Sequence, residues 1–168
     1  MYMSDFTVAF KVQGPQQDAP RDIYHLAQAF YLSGNRAGLN IEVGPNLTQS
    51  LLSPSVVNYC FSLELFFKAL IKNDTSKRAT GHKLNELFAE LPNNRQSQIK
   101  EQFVTTIQQP DFETFLETIS EYFVKVRYEY EYPIEIYYEG PISVFAKTVY
   151  VMCSEVFGQA TKLPSVSV

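Results

Sequence analysis

Ser62-Leu63-Glu64-Leu65-Phe66-Phe67-Lys68-Ala69-Leu70 decides the fold, because it lies in the middle of a run that is apolar on almost every side of a helical wheel. Ser53-Pro54 supplies a helix start, since serine caps a first turn and proline fits within it. From there Val56, Val57, Tyr59, Cys60, Phe61, Leu63, Leu65, Phe66, Phe67, Leu70 and Ile71 lead to Lys72. A helix this apolar is a central one, wrapped by others. Its few polar side chains, Asn58, Ser62, Glu64, Lys68 and Lys72, share one sector, with Glu64 preceding Lys68 in the favourable i,i+4 order. That sector has to meet water, a partner or a buried polar network.

Working outward, helical spacing predicts further helices on both sides. Upstream, Asp18 caps a helix with Pro20 in its first turn and Ile23, Leu26, Ala27, Phe30 and Tyr31 on one face, ending at Gly34. Downstream, a polar loop 73–81 leads to a short helix 83–91 carrying Leu84, Leu87, Phe88 and Leu91, stopped by Pro92. A helix from about 94 to 108 buries Ile99, Phe103, Val104 and Ile107. After Pro110 and Asp111 comes the most regular stripe, Phe112, Phe115, Leu116, Ile119, Phe123 and Val126, until Pro133 disfavours helix at Tyr132. Ile134 to Tyr138 is β-prone, and Gly140-Pro141 opens a last helix to about Thr161 with Ile142, Phe145, Val149, Met152, Cys153, Val156 and Phe157 inward. Phe6, Val8, Phe10 and Val12 alternate as a short strand, with a second at Leu39, Ile41 and Val43. The expected fold is mainly α in a single domain 1–168, with a helical core 53–157, an N-terminal strand and helix extension 1–44, and a frayed tail 163–168.

Composition narrows the function. A chain of 168 residues with 45% apolar residues suffices for one core, and a net charge of −4 with interspersed signs lacks the footprint of a duplex-DNA groove reader. Nucleic-acid contact, where present, is local. No apolar run approaches the roughly 18 residues of a membrane span, and Met1 to Gly14 has no signal-peptide pattern, so a soluble, cytoplasmic protein is expected. Cys60 and Cys153 lie in apolar helical patterns without CxxC spacing and read as buried reduced thiols. No carboxylate or histidine cluster has metal spacing and no Gly-rich phosphate loop occurs, so no metal and no cofactor are expected.

The element order, with Glu64 and Lys68 on the central helix, Gly81-His82-Lys83-Leu84 opening a short helix, and a long helix ending in Arg127 among aromatics, resembles the HEPN superfamily of helical domains over roughly 53–157. Its most specific pieces are the 62–70 segment and the Gly-His-x-Leu turn. The resemblance implies an up-and-down bundle of four to five helices that pairs into a homodimer, with the long-helix Arg facing the dimer cleft. Many members are endoribonucleases of toxin–antitoxin, abortive-infection and CRISPR systems, in which that Arg and a His several residues later cut RNA without metal. Arg127 matches the Arg; Tyr128 follows it where catalytic members often carry Asn, Asp or His, Tyr132 stands where the His is expected, and no His follows in the chain. The partners implied are a second copy, RNA or a nucleotide, and a cognate nucleotidyltransferase or antitoxin.

Cleavage through the RNA 2′-OH needs a base near neutral pKa and a cation for the developing phosphorane charge. Arg127 supplies the cation, but a tyrosine titrating near 10 beside Glu129 and Glu131 is a poor base. The catalytic candidates are therefore Arg127 and Tyr132, and the binding candidates are Tyr128, Tyr130, Glu64, Lys68 and His82. Each has a structural reading as well. Arg127 suits a helix C-terminus, the tyrosines suit packing, Glu64 and Lys68 suit an ion pair at a dimer seam, and His82 suits a backbone hydrogen bond at a helix start. Lys77 and Arg78 beside Thr80 and Gly81 are further phosphate contacts or ordinary surface charge. The expected function is a non-catalytic, dimeric HEPN-like module that binds RNA, a nucleotide or a protein partner in a stress, defence or toxin–antitoxin setting. The alternatives are a metal-independent endoribonuclease using Arg127 and Tyr132, with His82, and a purely structural dimerisation domain.

Overall fold

The computed structural model describes residues 19–39, 41–44, 47–49, 52–107, 111–126 and 139–158. The expected strands at 6–12 and 134–138 and the tail lie outside them; the Asp18 cap is corrected, since Ala19 takes the N-cap position before Pro20 and no side chain caps that helix. The protein is mainly helical: α1 Pro20–Ala37, α2 Leu52–Thr75, α3 Leu84–Ala89, α4 Asn93–Thr106, α5 Phe112–Lys125 and α6 Glu139–Phe157. Between α1 and α2 lies an antiparallel hairpin of β1 Ile41–Gly44 and β2 Leu47–Gln49, paired Ile41 to Gln49 and Gly44 to Leu47.

Because α2 is apolar nearly all round, it can satisfy its faces only by touching several neighbours, and it packs against α1, α3, α5 and α6. Its length and composition alone would suit a membrane span, but 72% of its most apolar window is buried inside the fold. Phe66, Phe67, Leu63 and Leu70 are fully enclosed. Phe103 of α4 meets Phe112 and Phe115 of α5 and Phe145 of α6 at centroid distances of 5.0, 4.9 and 5.7 Å, an aromatic cluster that joins these three helices. Asp111 caps α5, accepting hydrogen bonds from the Glu113 N–H and the Thr114 hydroxyl. The Thr114 bond in particular holds its carboxyl below the usual carboxylate range.

Three further local expectations are corrected. α1 does not stop at Gly34 but runs to Ala37, and Gly34 is buried within it. The reason is close helix approach: a Cβ at Gly34 would lie 2.9 Å from the Tyr59 ring, while the Ser55 hydroxyl donates to the Gly34 carbonyl at 3.0 Å. The inward face of α1 is Tyr24, Ala27, Tyr31 and Gly34, so Leu26 is 50% exposed and Tyr24 takes the core position. Val104 is 65% exposed as well, because α4 offers the core only a narrow stripe ending in Ile99 and Phe103, and Val104 is rotated about 100° away from Phe103.

Candidate functional site

Glu64 sits midway along α2 and is only 2% exposed. A carboxylate taken out of water costs several kcal/mol unless it is paired and hydrogen-bonded. Two cations or donors converge on it. Lys68, one turn later, places Nζ 2.8 Å from Glu64 Oε1, and His82 brings Nδ1 to 3.0 Å from the same oxygen. The Lys68 side chain is 17% exposed and that of His82 74%, so the three groups run from the core to the surface in sequence. The polar sector of the central helix is thus resolved as a network that is buried at Glu64 and wet at His82.

The loop 76–83 is what delivers His82. α2 ends with Ser76 in the left-handed region at φ 59°, its N–H donating to the Lys72 carbonyl at 3.0 Å. The Thr75 hydroxyl donates to the Ile71 carbonyl and accepts from the Lys77 N–H at 3.1 Å, turning the chain back along α2. Ala79 is buried and pins the middle of the loop, while Lys77, Arg78, Thr80, His82 and Lys83 are exposed. At the far end the Asn85 N–H donates to Ser120 Oγ of α5 at 2.9 Å, and Ser120 in turn donates to the Leu116 carbonyl. Both ends of the loop are therefore fastened to rigid helices. Lys83 is 3.4 Å from Glu86, and both are well exposed. Among the described residues Lys77 and Arg78 have no ion-pair partner.

An ionised carboxylate accepts only, so in this contact Nδ1 of His82 carries the proton and donates it to Glu64. Nε2 is left as the nitrogen turned to solvent. His82 therefore does not bond backbone at a helix start, as its position suggests; it reaches across 18 residues to the central helix. Glu64, Lys68 and His82, the three candidates that lie within the described residues, form one cluster. Arg127, Tyr128, Tyr130 and Tyr132 lie outside the described residues.

A concavity of about 300 Å³ opens between α3, α4 and α5, floored by Phe88 and Phe112 and rimmed by Asn85, Gln96, Lys100 and Glu117. Lys100 pairs with Glu113 and stands 5.7 Å from the centroids of both Phe rings, so its charge is already satisfied within the chain. Elsewhere Arg95 of α4 bonds Asp74 at the end of α2 at 3.0 Å and Gln98 at 2.8 Å, a strut between helices. Cys60 and Cys153 are free and buried. Burial pushes the Cys60 thiol up to about 12 and the Cys153 thiol up as well, so neither supplies a thiolate near neutrality. Tyr24 is raised to about 12, chiefly by burial and next by the neighbouring Tyr150 hydroxyl. No group of three or more His, Cys, Asp and Glu side chains among the described residues is placed to hold a metal.

The Ser120 anchor and the Glu64–His82 bond were not foreseeable from spacing, since neither pair shares an element. The only hint was chemical: a carboxylate on an otherwise apolar helix requires a partner from somewhere. The chain matches no protein-family model, no curated protein and no solved structure.

Proposed function

We propose that this protein is a dimeric HEPN-like module that binds single-stranded RNA by its phosphates through the loop between α2 and α3. The observation that carries this reading is the concentration of positive side chains on a loop held by Glu64 and Ser120 in an otherwise acidic chain. Residues 68–83 hold five of the 14 Lys and Arg residues against one acid, Asp74, which is tied to Arg95. Lys77 and Arg78 are the exposed members free of ion pairs among the described residues. Phosphate contact needs exposed, unpaired cations on a defined backbone, and this loop offers both. The net charge of −4 over the whole chain keeps such contact local.

The test is fluorescence anisotropy with a Cy3-labelled, mixed-sequence 20-nucleotide RNA at about 50 mM salt. Lys77→Ala/Arg78→Ala is expected to weaken binding about tenfold or more, and to lower the slope of log K against log salt by about 1.4, or roughly 0.7 per lost phosphate contact. Unchanged binding in the double variant would sink the proposal, as would no binding by the parent protein. Binding is assigned to this loop, and no RNA cleavage is assigned to Arg127 and Tyr132. Incubation with mixed RNAs in EDTA beside Arg127→Ala checks that assignment, and cleavage lost in the variant contradicts it. Light scattering tests the dimer.

A further inference from the structure

We propose that anion binding at the α2–α3 loop is proton-linked through His82, whose Nε2–H becomes an added phosphate donor as the pH falls. The inference rests on the RNA-binding reading above and extends it to how that site is regulated.

The geometry restricts where the imidazole takes up its proton. Nδ1 is committed to Glu64 Oε1 at 3.0 Å and must carry hydrogen in that bond, whether the ring is neutral or charged. Protonation therefore occurs at Nε2, the nitrogen on a side chain that is 74% exposed. At high pH this nitrogen presents a lone pair and repels a phosphate oxygen. At low pH it presents a donor with a positive charge behind it. Histidine is the side chain that makes this change between about pH 5 and 8. Glu64 does not swing away when this happens, because it is buried and held by Lys68, so the ring stays aimed.

The charged groups in contact at this cluster are Glu64 and Lys68 from α2; the loop adds Lys77, Arg78 and Lys83, α3 adds Glu86, paired with Lys83, and the α5 group bonded at the end of the loop is the neutral Ser120. Glu64 is the carboxylate in direct contact with the ring, and Glu86 is shared with Lys83. Lys77, Arg78 and Lys83 flank His82 along the chain. An RNA phosphate seated on these cations favours the imidazolium, and the imidazolium favours the phosphate, as linkage requires.

The same Cy3-labelled RNA is titrated at constant ionic strength from pH 8.0 to 5.5, with the parent protein beside His82→Gln and Glu64→Gln. The whole protein loses negative charge as it approaches its pI of about 5.2, so affinity rises somewhat in every variant and only the difference from His82→Gln counts. The parent is expected to gain about tenfold more affinity than His82→Gln, the gain of one charge-assisted hydrogen bond. Its log K against log salt slope should steepen by about 0.7 at pH 5.5, while that of His82→Gln should not. Glu64→Gln leaves a buried amide that can turn either its oxygen or its NH₂ group to Nδ1, so the ring loses its fixed aim and the excess affinity at pH 5.5 should shrink toward that of His82→Gln while the binding that depends on Lys77 and Arg78 remains. Circular dichroism at both pH limits confirms that each variant is folded. Parallel pH profiles for the parent and His82→Gln, with binding still dependent on Lys77 and Arg78, overturn the proton linkage alone. Absence of RNA binding at every pH overturns both the linkage and the reading beneath it.

Discussion

Replacing Lys68 with Met removes the ammonium while keeping most of the stem volume, and it isolates the cost of burying Glu64. In the parent, Glu64 Oε1 receives Lys68 Nζ at 2.8 Å and His82 Nδ1 at 3.0 Å, with the carboxylate almost wholly enclosed. After the substitution only the exposed imidazole remains. Breaking a buried pair by removing one partner costs about 3–5 kcal/mol when nothing compensates. Here the pair opens toward solvent at Lys68 and His82 still donates, so about 2–3 kcal/mol is expected. For a domain of this size that is a fall in Tm of roughly 5–10 °C, read by circular dichroism and by urea unfolding. The companion Glu64→Leu/Lys68→Met should recover most of the loss, because an apolar pair of similar volume carries no desolvation cost. The coupling energy from the cycle with Glu64→Leu should then be large, well above the few tenths of a kcal/mol of an exposed pair. A loss below about 1 kcal/mol for Lys68→Met would show that Glu64 is not buried as described, and the account of the cluster would fail.

Gly34→Ala should destabilise by about 1–2 kcal/mol, since a Cβ there meets the Tyr59 ring and this outweighs the roughly 1 kcal/mol that alanine gains in a helix; a stabilised variant in urea titration would contradict the close approach. Ser76→Gly should stabilise by about 0.5–1 kcal/mol, because it relieves a left-handed serine at the end of α2, and an unchanged urea midpoint would count against that strain. Alkaline stability should fall from about pH 9 upward. Cys60 is raised from 9.0 to about 12 and Tyr24 from 10.0 to about 12, so the unfolded chain ionises first, binds fewer protons than the native state, and gains in population as pH rises. Each such group contributes a slope of about 1.4 kcal/mol per pH unit between its two values. Unfolding midpoints from pH 8 to 11 should be flatter in Cys60→Ala/Cys153→Ala, and equal slopes would refute the assignment.

Local periodicity made much of the helical frame legible. The near-continuous apolar run around Ser62 to Leu70 demanded a central helix, and the stripes at Phe112–Ile119 and Ile142–Cys153 demanded helices with one buried face, as found. Periodicity reports which face of an element is apolar, because that property is set by residues a few positions apart. It was weakest where two faces competed. On α1 the spacing points Leu26 inward, and the position of α2 and α6 instead buries Tyr24, which stacks on Phe157 at 5.1 Å.

By itself, then, the sequence determined the helical class, the central place of α2 and the presence on it of a carboxylate in need of a partner. Only the tertiary structure decided which partners that carboxylate has. Glu64 and Lys68 are neighbours on one helix, a relation set by 3.6 residues per turn, but His82 reaches Glu64 because Ser76 reverses the chain and Ala79 and Asn85 fasten the returning loop. An ion pair has no periodicity of its own. It forms where packing brings two groups within about 3 Å, and the same packing fixes Nδ1 of His82 inward and turns Nε2 toward water.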